Sequence, residues 1–156
     1  MDASSSSMAV IQTSKHEFII VDDNDFEKVK KFRWYVNRMG YAANDATPRK
    51  LMHRLIMNFP KGGIDHKNGN KLDNRKSNLR PCNQSENMAN APKRKTNLSG
   101  YKGVSWNKKY SKWEAYLTKD CKHIFLGYFD DRKEAALAYN QRAIKEFGDF
   151  CKLNEL

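Results

Sequence analysis

The stretch Ile64-Asp65-His66-Lys67-Asn68-Gly69-Asn70-Lys71-Leu72-Asp73-Asn74-Arg75-Lys76-Ser77-Asn78-Leu79-Arg80 constrains this chain more than any other. A short apolar approach ends on an acid and a histidine. Asn68-Gly69 favours a hairpin turn, because both positions tolerate φ > 0. Asn78-Leu79-Arg80 opens a returning extended run that ends at Pro81-Cys82. Asn83-Gln84-Ser85-Glu86 then reads as a helix start, an Asn cap with Glu three residues on to close a capping box. The segment therefore predicts a hairpin followed by a short helix, with oxygen and nitrogen ligands converging on it.

These residues, D-H-x-N-G-N-x-x-D-N-R-x-S-N-L-R and the following S-E-N, resemble the HNH endonucleases, in particular the phage and intron-encoded homing branch. The resemblance covers roughly residues 50–90. It implies a ββα-metal unit that hydrolyses one phosphodiester bond with one divalent metal. A neutral imidazole takes a proton from water near pH 7, and by resemblance that group is His66. Magnesium prefers hard oxygen ligands and keeps several waters, so one carboxylate and one amide oxygen suffice. By resemblance these are Asp65 on the hairpin and Asn87 on the helix, with manganese as the alternative ion. Asn78 is expected to hold the hairpin loop and to orient His66 through a backbone bond. Asp73 and Asn74 read as an Asx turn or loop brace first and as ligands second, and Asn90 as a helix-end residue. Arg75, Lys76 and Arg80 are either solvated charge or phosphate contacts.

Composition limits the partner. Of 156 residues, 30% are charged and the net charge is +11. Counted along the chain, residues 1–60 carry +2, 61–97 carry +6 and 98–156 carry +3, which sum to that value. Such a balance points to a polyanion, since counterion release favours its binding. No long apolar stretch or basic amphipathic helix supports a membrane partner, and no protein partner is evident. Cys82, Cys121 and Cys151 stand far apart without a C-x-x-C pair. Neither a disulfide framework nor a structural zinc is expected, which suits a reducing, intracellular setting such as an infected cell, an organelle or a nucleus. No secretion signal is visible.

Residues 1–15, with four consecutive serines, read as a disordered leader ahead of the nuclease domain at 16–91. His16 to Val21 is a strand candidate. Asp22-Asp23-Asn24-Asp25 can cap a short helix over Phe26 to Lys31. Phe32 to Val36 and Tyr41 to Ala43 look like strands around an Asn37–Gly40 turn, with Trp34 in the core. Lys50 to Asn58 has near-helical apolar spacing. His53 within it reads as a structural histidine first and a metal or phosphate contact second. Residues 92–98, opened by Pro92 and carrying Lys93, Arg94 and Lys95, read as a basic linker able to lie along DNA.

A second resemblance begins at Ser99. Ser99-Gly100-Tyr101-Lys102-Gly103-Val104, Trp113-Glu114-Ala115-Tyr116-Leu117, Phe125-Leu126-Gly127-Tyr128-Phe129 and Glu134-Ala135-Ala136-Leu137-Ala138-Tyr139-Asn140 follow in order. They resemble the Apetala-two/ethylene-response-factor DNA-binding domain over residues 99–156. The pattern predicts strands near 102–107, 112–119 and 122–128 and a helix over 131–147, capped by Asp131 and stopped by Gly148. Ala135, Tyr139, Ala143 and Phe147 give that helix an apolar stripe. The resemblance implies that the free sheet face enters the major groove of double-stranded DNA. The positions that match its DNA contacts are Lys102, Ser105, Lys108, Tyr110, Lys112, Tyr116, Thr118, His123 and Phe125. Plant members carry mostly arginines and tryptophans there. Lysine and serine read guanine less well than arginine, so the plant target does not transfer.

The sequence thus predicts an α+β chain with a small N-terminal sheet and a ββα-metal nuclease unit. A linker follows, then a three-stranded antiparallel sheet packed on one helix. It reads as a site-specific DNA endonuclease. The alternative is a non-catalytic DNA-binding regulator with a decayed nuclease; an RNA-binding protein has the charge but no stacking motif.

Overall fold

A computed structural model describes residues 7–156. The chain divides after Cys82 into two compact units, both built from short antiparallel strands and helices.

In the first unit, β1 (Met8–Gln12) pairs with β2 (Phe18–Asp22) in antiparallel register. This corrects the expectation of a disordered leader over 1–15 for residues 8–12, while residues 1–6 lie outside the described residues. The physical reason is alternation: Ala9 and Ile11 point inward and pack on the core, whereas Met8 and Val10 face out. The chain turns directly into α1 (Asp23–Val29), whose first turn carries Asp23 and Asp25 where the helix dipole favours acids. β3 (Trp34–Val36) and β4 (Ala42–Asn44) pair around a turn in which Asn37 Oδ1 accepts from the Met39 and Tyr41 amides. α2 (Met52–Ile56) is shorter than the spacing over 50–58 suggests. Ile19, Val21, Val29, Trp34, Met52 and Ile56 form the centre of the core. Trp34 is 4% exposed and donates its indole N–H to the Val29 carbonyl.

β5 (Gly63–His66) and β6 (Leu79–Cys82) make the expected hairpin, with Asp65 opposite Arg80 and His66 opposite Leu79. The tight Asn68-Gly69 turn does not close it. Residues 67–78 form a longer loop, and Gly69 alone of the pair takes a positive φ, +74°. Asn68 instead turns its side-chain oxygen onto the Asn70 amide. The loop runs beside β2: Ile20 N donates to Leu72 O at 2.9 Å, and Asn74 N to Ile20 O at 2.8 Å.

The second unit opens with α3 (Gln84–Asn90). Its capping box forms as the sequence predicts, with Asn83 Oδ1 accepting from Glu86 N and Glu86 Oε2 accepting from Asn83 N. Ala89 is 5% exposed and packs with Leu117, Tyr139, Ala143 and Phe147. This packing places the hairpin's helix, and the expected linker 92–98, inside the second unit. β7 (Val104–Asn107), β8 (Lys112–Lys119) and β9 (Lys122–Phe129) form one antiparallel sheet in that order, with a bulge between Ala115 and Tyr116. α4 (Arg132–Phe147) covers one face; Asp131 caps it through the Lys133 and Glu134 amides. Ala135 and Ala143 are fully buried and let helix and sheet approach closely. Gly103, at φ +73°, lies where a Cβ would run into the Tyr139 ring and the Tyr116 carbonyl. Trp113 and Phe129 pack against the Val104–Ala115–Ala135–Ala136 cluster, as expected of core residues.

Candidate nuclease site

The hairpin brings Asp65, His66 and Asn78 together in the first unit. Asp65 is 5% exposed, and Arg80 from the facing strand sets Nε and Nη2 on its Oδ2 at 2.9 and 2.8 Å. A buried carboxylate needs such a partner, because desolvation without one is costly. His66 is 3% exposed. Its Nε2 lies 3.4 Å from Asn74 Oδ1. An amide oxygen only accepts, so a neutral ring that hydrogen-bonds it here carries its proton on Nε2. The ring stands edge-on to His53, centroids 5.1 Å apart, and is tilted against Tyr41 at 6.0 Å. Burial pushes the His66 imidazole below its ordinary pKa, opposed by the Asn74 bond and by the charges of Asp65 and Asp73. Burial, then the neighbouring His66, push His53 down to about 4. Both rings are therefore neutral at pH 7, the state a proton acceptor requires.

Asn78 fastens the loop from both ends of its side chain. Its Oδ1 accepts from Asn68 N at 3.0 Å, and its Nδ2 donates to Asp73 O at 2.8 Å. The side chain that meets His66 is Asn74, fully buried on the same loop. Asn74 reads in the sequence as a loop brace first and a ligand second; its position after Asp73 in the Asx turn is the signal for it. His53, whose Nδ1 has no hydrogen-bond partner, completes the cluster with Tyr41; its reading as a site contact came second in the sequence, and Tyr41 was not singled out.

Arg75, Lys76 and Arg80 are engaged with acids. Arg75 makes a two-pronged contact with Asp73, Nε to Oδ1 at 2.8 Å and Nη2 to Oδ2 at 2.7 Å. That guanidinium holds the Asp73 carboxyl below the usual range. Lys76 Nζ meets Asp25 Oδ1 at 2.8 Å, and Arg80 meets Asp65. Asn87 sits on the exposed face of α3 in the second unit.

Lys93, Arg94 and Lys95 are exposed, with Lys93 Nζ donating to the Gly100 carbonyl. In the β7–β8 turn Lys108 and Tyr110 are exposed; on the sheet His123 and Phe125 are exposed, and Lys112, Tyr116 and Thr118 half-buried. Tyr110, Tyr128 and Phe125 form a run of ring contacts at 4.8 and 4.9 Å on the face away from α4. Thr118 Oγ1 lies 3.2 Å from His123 Nδ1, and Lys112 pairs with Asp130. Lys102, matched to a DNA contact in the sequence, has a half-buried ammonium bonded to three backbone carbonyls.

Among the described residues, no three His, Cys, Asp or Glu side chains gather to hold a metal. The Asp65 carboxylate carries oxygens of the hardness that magnesium prefers. All three cysteines are free, Cys82 buried and Cys121 exposed. No described helix is long and apolar enough to cross a membrane.

Residues 50–89 match the family model described as HNH endonuclease. The chain is 29% identical over 150 residues to Uncharacterized HNH endonuclease L560 of Acanthamoeba polyphaga mimivirus, across 91% of this chain and 77% of that protein. It is 42% identical over 65 residues to Protein 3.8 of Escherichia phage T7, across 41% of this chain and 54% of that protein. The chain thus spans about half the length of the phage relative. No solved structure matches it. The HNH match runs from α2 through the hairpin into α3, and Asp65, His66, Asn78 and Asn87 all lie within it.

Proposed function

We propose that the protein is a site-specific DNA endonuclease of the HNH homing type. The observation that carries this reading is the hairpin inside the HNH-matched segment, where Asp65 and a neutral, Asn74-bonded His66 stand beside a loop fastened by Asn78. His66 takes the proton of the attacking water. Asn74 holds the imidazole in one tautomer, and Asn78 keeps the loop that presents it. Asp65 and Asn87 would hold a divalent ion, magnesium or, as the alternative, manganese. When bound, that ion supplies Lewis acidity to the phosphoryl oxygens and to the leaving 3′-oxygen. The ends left are 5′-phosphate and 3′-hydroxyl. His66 is enclosed, so DNA binding has to bring water and phosphate to it.

The C-terminal sheet, of the Apetala-two/ethylene-response-factor type, supplies affinity and register on double-stranded DNA. Lys108, Lys112 and the exposed run of Tyr110, Phe125 and Tyr128 support this role. So do the exposed cations Lys93, Arg94 and Lys95, which serve phosphates. Arg75, Lys76 and Arg80, already paired with acids, act mainly through the loop.

The test is nicking of supercoiled plasmid with Mg²⁺. Activity should vanish with a chelator and in His66→Ala; nicking that survives both refutes the reading. A second reading, a DNA-binding regulator without catalysis, is favoured by the burial of His66 and the Arg80 grip on Asp65. Sequence-specific gel shifts without nicking under any divalent metal would establish it.

A further inference from the structure

Helix α3 has seven residues, too few to hold as an isolated helix in water. At its end, Ala91 N donates to the Asn87 and Met88 carbonyls, and Lys152 N donates to Ala89 O at 3.0 Å. Lys102 Nζ lies 2.9 Å from Met88 O, 2.6 Å from Ala89 O and 2.6 Å from Ala91 O. An ammonium has three donors, so all of them are committed to the end of α3. A cation there also meets the negative end of the helix dipole.

The backbone that bears this side chain is itself pinned. Lys102 N donates to Asn154 Oδ1 at 2.7 Å, and Asn154 Nδ2 donates to Lys102 O at 3.0 Å. Asn154 is held in turn by Asn140 of α4 through two backbone contacts, at 2.8 and 2.9 Å. One polar chain therefore runs from α4 through Asn140, Asn154 and Lys102 to the end of α3. At the other end of α3, Ser85 Oγ donates to Asp120 Oδ1, and Asp120 N donates back to Ser85 Oγ.

We infer that Lys102 is a positioning residue rather than a DNA contact: it clamps the C-terminal turn of α3 to the sheet-and-helix fold and so fixes where Asn87 is held. This rests on the proposed role of Asn87 as a metal ligand. Burial pushes the Lys102 amine down to about 8, while the three carbonyls favour its charged form, so it remains an ammonium at neutral pH.

The variant Lys102→Met separates the two roles. Four quantities are read: hydrogen exchange of the Asn87 and Ala91 amides, affinity for random-sequence duplex DNA across a salt series, Mn²⁺ binding without DNA, and plasmid nicking. Clamping predicts at least tenfold faster exchange in α3 with α4 unchanged, weaker Mn²⁺ binding, and nicking down at least tenfold. It also predicts an unchanged salt slope. A phosphate contact predicts a slope smaller by about one, and that result, or unchanged α3 exchange, overturns the inference. Should Lys102→Met lose α4 protection as well, amine acetylation of the unmodified full chain decides. The clamp predicts that Lys102 resists acetylation equally with and without DNA, and protection that appears only with DNA refutes it. If the unmodified protein nicks nothing, the nuclease reading fails, while the exchange and salt-slope results still judge the clamp.

Discussion

Acidification should loosen the first unit through His53, by an amount the structure sets. His53 is 6% exposed, its Nδ1 has no hydrogen-bond partner, and its ring abuts His66. Folding lowers its pKa from 6.5 to about 4. The unfolded chain therefore binds more protons than the folded one between those values. Stability from this group is complete above about pH 6.5, falls as pH drops, and levels off below about 4. A gap of that size corresponds to about 3 kcal/mol at most, with a slope of up to ~1.4 kcal/mol per pH unit. His66, shifted in the same direction, adds to the slope with the same sign. The assay is urea unfolding from pH 4 to 7.5 with Trp106 and Trp113 replaced by Phe, so that Trp34 reports the first unit. The variant His53→Leu should show a clearly shallower slope than its parent. A His53→Leu protein with the full slope, or a parent that gains stability on acidification, refutes the reasoning.

Further outcomes follow from single contacts. Arg80→Met removes both guanidinium bonds from the buried Asp65 carboxylate and should cost about 3 kcal/mol in urea unfolding. Lys112→Met, which breaks the exposed pair with Asp130, should cost within ~1 kcal/mol; equal losses would contradict this contrast. Gly103→Ala meets both a left-handed φ and the Tyr139 ring, so it should destabilise by on the order of 2 kcal/mol or more. Gly69→Ala, with open space around its Cβ, should cost only the backbone term of about 1 kcal/mol. Asn78→Ala strips partners from the Asn68 amide and the Asp73 carbonyl and should cost about 1–3 kcal/mol. It should also slow plasmid nicking, and wild-type rates in that variant would remove Asn78 from the account.

The elements legible in the sequence were those specified locally. The Asn83–Glu86 capping box, the Asp131 cap and the four-residue stripe of α4 are written in neighbouring residues, and each forms. Strand β1 was not legible because its apolar alternation is short and follows a serine run, while its partner β2 supplies most of its reason to be extended. The loop 67–78 was mistaken for a tight turn because its folding depends on distant groups, the Ile20 backbone and the Asn78 side chain. The site shows the same division. Asp65, His66 and Asn78 stand out by spacing, but the pairing of Asn74 with His66 and the meeting of His53 with His66 need the fold. Charge alone cannot say which cations are spent: Arg75, Lys76 and Arg80 answer carboxylates, and Lys102 answers carbonyls.

The central claim is that the Asp65–His66 hairpin breaks phosphodiester bonds at a chosen site. Its most direct test is to incubate a random duplex library with the protein and Mg²⁺ and to sequence the ends. The account predicts 5′-phosphate and 3′-hydroxyl ends gathered at one recurring sequence, and none with His66→Ala. An intact library, or the same cuts from His66→Ala, would contradict it.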